Sequence, residues 1–244
     1  MKSVALRYLD IIMEQLHVLF QRSETDIQKT ADMIANSLMN GHRIFVANTS
    51  HALATEIHKR AGGLVGVIPL NVLNYDDPME SDDRIPHLKK AINSGNWKPG
   101  KGDIVIIASN AGTNIDTVGA AKICREQEAT VIGITSLIFE KSKNVIVQDP
   151  QKQTLADIAH LVIDLGGVIG DAVISLDHLP NPIAPTSGVL TITVVWAILA
   201  QAADIMLKAG YIPLVYRAVQ LPGGNELFTK LSAQFVKNGL GYQQ

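Results

Sequence analysis

Two short polar clusters interrupt apolar stretches of this chain: Asn48-Thr49-Ser50-His51 after RIFVA, and Ser109-Asn110-Ala111-Gly112-Thr113-Asn114 after DIVIIA. Hydroxyl and amide side chains at a strand-to-helix junction suit one task, the holding of an anion. The first turn of a helix leaves main-chain N–H groups without intrahelical partners, and the helix dipole adds partial positive charge there. Ser50 and Ser109 each add a hydroxyl donor, and Thr49, Thr113 and Asn114 can complete the shell. Gly112 permits close approach of the main chain to a ligand, or a positive φ. A phosphate monoester can be held this way without a lysine. The same residue types are also good helix N-caps; two such clusters on one face shift the balance toward a ligand.

The elements that would position these clusters follow from hydropathy. Five short apolar runs, RIFVAN (43–48), VGVIPL (65–70), DIVIIAS (103–109), TVIGIT (130–135) and HLVIDL (160–165), are rich in residues that strands prefer. They are apolar on both faces and separated by helical patterns, which indicates a parallel sheet covered on both sides. Helices are expected over about 3–21, from Ser23 as N-cap to about Gly41, over about 51–62, after Asn114, within the polar stretch 74–102, and over 186–208. The layout is a single domain: an N-terminal helical pair (1–41), a core (42–167) and a C-terminal helical part (168–244). Loops at the carboxyl ends of such strands form the binding face of an open parallel sheet.

Composition narrows the classes. The chain has 244 residues, 47% hydrophobic and 18% charged, enough for a sizeable core. The formal net charge is −2 with no basic block, so a nucleic-acid partner has no support. Cys124 is the one cysteine and reads as a buried helical thiol; no disulfide can form within the chain. The N-terminal segment is broken by Arg7, Asp10 and Glu14, unlike a signal peptide. GVLTITVVWAILAQAADIML is interrupted by Thr191, Thr193 and Gln201 and closed by Asp204, so burial in a core or subunit interface is expected rather than a membrane span. The expectation is a cytoplasmic protein, a homodimer or higher homo-oligomer, with no membrane partner.

VANTSHALATEI resembles the first phosphosugar-binding motif of SIS (sugar isomerase) domain proteins, where a strand ends in Gly-Thr-Ser before a helix. IIASNAGTNIDT resembles their second motif, and TVIGITS and LADIAHLVIDLG resemble the segments that follow. The resemblance spans roughly Gly41 to Gly167. It looks most like a phosphoheptose-isomerase-like branch. It implies a flavodoxin-like three-layer α/β/α sandwich around a five-stranded parallel sheet, with N- and C-terminal helices, commonly dimeric. It places Ser50, Ser109, Asn110 and Asn114 on phosphate-contacting positions, and Thr113 where many relatives carry an acidic or amide residue. Two positions depart from the pattern: Asn48 stands where glycine is usual, and Ala111 replaces a serine.

A sugar-phosphate isomerase needs a base to move a proton between C1 and C2 and an acid at the oxygens. Glu56, six residues after Ser50, is the candidate base; its other role is an i,i+4 ion pair with Arg60. His51 has either a ligand contact or a capping role, and His58 reads as surface or interface. His178, in the proline-rich loop SLDHLPNPIAPTSG, is the candidate acid or ring opener. Asp171 in GGVIGD either orients a ligand hydroxyl or caps the next turn. No cofactor is expected, and no metal, since His-x-x-x-His and paired cysteines are absent. GGVIG lacks the Gly-x-Gly-x-x-Gly spacing of a dinucleotide loop. Two functions remain: an isomerase or related amino-sugar-phosphate enzyme, and a non-catalytic phosphosugar sensor.

Overall fold

A computed structural model describes residues 2–72 and 81–238. Residues 73–80, which include the start of the polar stretch (74–102) expected to hold a short helix, lie outside the described residues. Helix α3 (Ser81–Asn93) lies within that stretch.

Five parallel strands form the central sheet: β1 (Ile44–Ala47), β2 (Val67–Leu70), β3 (Ile104–Ala108), β4 (Thr130–Thr135) and β5 (Leu161–Asp164). Their order is β2-β1-β3-β4-β5, the doubly wound arrangement expected from the alternating pattern. Alternate residues face opposite layers. Ile44, Val46, Ile104, Ile106, Ile132 and Ile134 join one buried cluster, while Phe45, Ala47, Val105, Ile107 and Val131 join the other. Burial on both faces is why these runs carry no polar/apolar alternation. Each fully buried large apolar side chain, such as Phe45 or Ile107, contributes roughly 1.5–3 kcal/mol.

The first face is covered by α1 (Val4–Met39), α2 (Leu53–Ile57) and α7 (Ser187–Lys208). The second is covered by α3, α4 (Ile115–Glu126) and α6 (Leu155–Ile158). Helix α7 is long and apolar enough by length and composition to cross a bilayer, but Leu190, Val194, Val195, Ile198, Leu199, Ala202 and Met206 are buried in the core shared with α1. Helix α8 (Gly224–Asn238) is the last of the described elements.

Three expectations need correction. The N-terminal helical pair is one helix of 36 residues. No glycine or proline interrupts Gln21-Arg22-Ser23-Glu24, and the buried stripe runs on through Leu19, Ser23, Ile27, Ala31 and Ile34. Ser23 is not a cap; its hydroxyl donates to the carbonyl of Asp164 at 3.4 Å. The helix expected over 51–62 is only the five residues of α2. His58 turns to extended backbone, and Lys59 and Gly62 take φ of +51° and +84°. The chain then runs beside residues 214–216, with Gly62 N–H donating to Tyr216 O (2.8 Å) and Tyr216 N–H to Gly63 O (2.9 Å). Finally, the proline-rich loop 175–188 is not loop throughout: Ile183–Pro185 forms β7, antiparallel to β6 (Ala172–Ile174) just before it.

Candidate functional site

The sheet reverses its winding between β1 and β3, which pair with Ile44 opposite Ile104 and Val46 opposite Ile106. Crevices at such a reversal are where open α/β sheets take ligands. Both donor-rich clusters emerge there. The Thr49 hydroxyl donates to the carbonyl of Ala108 at 2.9 Å, so the first loop is tied directly to the end of β3.

Asn48, the departure from glycine, has a structural account. Its N–H donates to Leu70 O (3.1 Å), and its side-chain carbonyl accepts from Val72 N–H (2.7 Å). The side chain thus prolongs the β1–β2 ladder, and its φ is not positive, so no glycine is required. Ser50 is partly exposed, and among the described residues its hydroxyl has no hydrogen-bond partner. His51 is exposed. Helix α2 is too short for a sizeable dipole, so this loop offers side chains more than helix charge.

The second loop leads into the twelve-residue α4. Ser109 Oγ accepts from Gly112 N–H at 3.2 Å, which leaves the hydroxyl proton for another acceptor. Gly112 has φ +62°; a methyl on it would lie 1.8 Å from Glu140 Oε1. Asn114 is the N-cap of α4, accepting from Thr117 N–H at 2.7 Å. Thr113 is buried, and its carbonyl accepts from Gln148 N–H. Among the described residues, the N–H groups of Asn110, Ala111, Thr113 and Asn114 donate to no protein acceptor. The Asn110 side chain is the most telling: both its amide nitrogen and its oxygen are buried without a protein partner. Buried amides are normally satisfied, so this one is poised for water or a ligand.

The loop is braced from beneath. Ser136 N–H donates to Asn110 O (3.1 Å), Leu155 N–H to Gly112 O (2.8 Å), and the Gln148 side chain accepts from Ile115 N–H (3.0 Å). Glu140, at the end of the short helix α5 (Leu137–Glu140), lies under Gly112 with Oε1 buried and unpartnered. Burial raises its pKa above the ordinary carboxyl range, against the lowering influence of the nearby Thr154 and Thr135 hydroxyls. Sequence reasoning missed Glu140 and Gln148. The only signal for Glu140 was a lone acid closing the apolar run SLIF.

The other candidates lie outside these two loops. Glu56 lies one residue before the end of α2 and forms an ion pair with Arg60 at 3.1 Å. His58 is partly buried, its Nδ1 3.1 Å from Val67 O. Burial lowers its pKa, the Val67 carbonyl opposes that shift, and the Lys59 charge adds to it. Asp171 (φ +66°) accepts from Thr186 N–H (3.1 Å), Ser187 N–H (2.8 Å) and Ser187 Oγ–H (2.6 Å), so it caps the start of α7. His178, at φ +64°, is exposed in the turn between β6 and β7. Among the described residues, no three His, Cys, Asp or Glu side chains are placed to share a metal ion.

Residues 7–136, more than half of the chain, match the family model described as SIS domain. A UPF0309 protein of Brucella anthropi is 29% identical over 241 residues, covering 96% of this chain and 97% of the relative. The structure of phosphoheptose isomerase GmhA from Neisseria gonorrhoeae superposes with a TM-score of 0.55 at 12% identity, over 82% of this chain and 97% of that one. The sugar isomerase domain of an RpiR transcription factor from Sphaerobacter thermophilus gives a TM-score of 0.51 at 14% identity, over 96% and 98%. At these identities the two structures establish a shared fold.

Proposed function

The chain belongs to the SIS domain family, and from that premise we propose that it binds a sugar phosphate and is an aldose–ketose sugar-phosphate isomerase or a related amino-sugar-phosphate enzyme. One observation carries the reading: two donor-rich loops leave adjacent strands at the winding reversal and are tied together by Thr49. The phosphate takes the free hydroxyl protons of Ser50 and Ser109 and the N–H groups of the second loop. The Asn110 amide meets a sugar or phosphate oxygen. Thr49, Thr113 and Asn114 shape the loops, with Thr49 and Asn114 already committed to protein bonds.

Ala111 removes one hydroxyl that would face a charged group, worth about 1.5–3 kcal/mol, so affinity is roughly ten- to hundredfold below that of a loop with the serine. In the catalytic reading Glu56 takes the proton next to the sugar carbonyl, held in direction by Arg60, and His178 donates at the ring oxygen. Asp171 acts by fixing the loop that carries His178. A second reading, a phosphosugar sensor without turnover, is favoured by the Glu56–Arg60 pair and the exposed position of His178.

Calorimetric titration with phosphorylated hexoses and amino sugars tests binding. Their unphosphorylated forms should bind far more weakly, and Ser50→Ala/Ser109→Ala should abolish the difference. Equal binding of both forms would overturn the phosphate assignment. Deuterium wash-in at sugar C2 from heavy water separates the two functions: exchange lost in Glu56→Gln supports the isomerase, and no exchange in either protein supports the sensor. Leu6, Leu9 and Met13, on one face of the first turns of α1, are exposed apolar residues suited to a second subunit. Sedimentation should therefore show a dimer or larger, and a monomer at micromolar concentration would contradict that.

A further inference from the structure

A cleft lies just beyond the carboxyl end of α2. It encloses about 250 Å³ and is lined by Lys59, Arg60, Ala61, Arg217, Ala218, Val219, Gln220 and Phe228. In a chain of net charge −2, three cationic residues line this cleft. Arg60 is balanced by Glu56, whereas among the described residues Lys59 and Arg217 have no ion-pair partner. Like charges gathered at one concave surface repel unless an anion joins them.

The cleft is built rather than incidental. The segment after α2 pairs with 214–216 through Gly62, Gly63 and Val65, with Leu64 bridged to Val215, which brings Lys59 and Arg217 to the same wall. Lys59 sits at φ +51°, a conformation uncommon for a residue with a side chain. Phe228, which also lines the cleft, is fixed against buried Tyr216 with ring centres 4.9 Å apart. Guanidinium groups bind oxyanions through paired N–H donors, and lysine adds a point charge. The dipole of a five-residue helix, whose carboxyl end is nearby, does not call for three cations.

We propose that this cleft is a binding site for a small oxyanion, a phosphoryl- or carboxylate-bearing molecule, separate from the sugar-phosphate site and independent of it. Arg217 and Lys59 supply the charge, Gln220 a neutral hydrogen-bonding group, and Phe228 an apolar lining.

The test is calorimetric titration of inorganic pyrophosphate and of citrate into the full chain carrying Ser50→Ala/Ser109→Ala, which disables the strand-end site. At low ionic strength at least one anion should bind with a Kd of about 1 mM or tighter. Adding Lys59→Gln/Arg217→Gln should weaken it at least about tenfold, whereas Lys59→Arg alone should bind within about twofold of the parent, since both charges and the paired donors of Arg217 are retained. Preference for pyrophosphate or citrate identifies which oxyanion the cleft favours. The proposal is overturned if neither anion binds, or if the Gln variant binds as tightly as its parent. Both altered side chains are exposed, and unchanged unfolding transitions of the variants would separate lost binding from lost folding.

Discussion

Replacing Gly112 by alanine tests how the second loop is supported. The added methyl would lie 1.8 Å from Glu140 Oε1, 2.6 Å from its carboxyl carbon and 2.7 Å from Thr135 Oγ1. The backbone angle alone, φ +62°, costs an L residue about 1–2 kcal/mol. Overpacking against a buried carboxyl adds about 1–3 kcal/mol, because Glu140 has little room to withdraw. The total of about 2–5 kcal/mol corresponds to a fall in Tm of roughly 5–15 °C for a chain of this size. Urea unfolding followed by circular dichroism, on wild type, Gly112→Ala, Glu140→Ala and the double variant, completes the cycle. Glu140→Ala removes the nearest obstacle and leaves Thr135 Oγ1 at 2.7 Å, so the second change should cost about 1–2 kcal/mol less in that background. The conformational part should remain. An equal penalty with and without Glu140 would refute the reasoning that this side chain buttresses the loop.

Three further outcomes follow from other parts of the structure. Glu140 has a raised pKa through burial, so the native state holds its proton more tightly than the unfolded chain; its stabilising effect is complete below the ordinary carboxyl range and is lost as pH rises through the raised value. Glu140→Gln should therefore flatten the fall in stability over that window, and parallel urea-derived profiles for the two proteins would contradict it. Asp171→Asn removes the charged acceptor for Thr186 and Ser187 at the start of α7 and should cost about 1–2 kcal/mol by urea unfolding, whereas no measurable loss would show the cap to be dispensable. Burial pushes the Cys124 thiol up to about 12, so an aromatic disulfide reagent should react only after unfolding, and rapid reaction with native protein would place the thiol at the surface.

The sheet was legible because its strands are buried on both faces: continuous runs such as IVIIA and TVIGIT can hardly sit elsewhere. The strand ends, and hence the two loops, followed from those runs. What escaped the sequence depended on partners distant in the chain. Ser23 has the chemistry of a cap, yet the helix continues because β5 offers its hydroxyl an acceptor. Helix α2 stops early because Gly62 and Gly63 find bonding partners at Tyr216, which no local pattern announces. The three-residue strands of the β6–β7 hairpin are too short for periodicity to register. Glu140 and Gln148 act on the second loop only through the fold, and Asp171 turned out to serve α7 from a loop fifteen residues ahead of its acceptor bonds.

The central claim concerns where one phosphate rests. A crystal structure of the protein soaked with a phosphorylated hexose decides it most directly. The account predicts phosphate oxygens about 2.5–3.0 Å from the hydroxyls of both Ser50 and Ser109, with the sugar extending toward Asn110. Phosphate density in the Lys59–Arg217 cleft alone, with the strand-end loops holding only water, would contradict it.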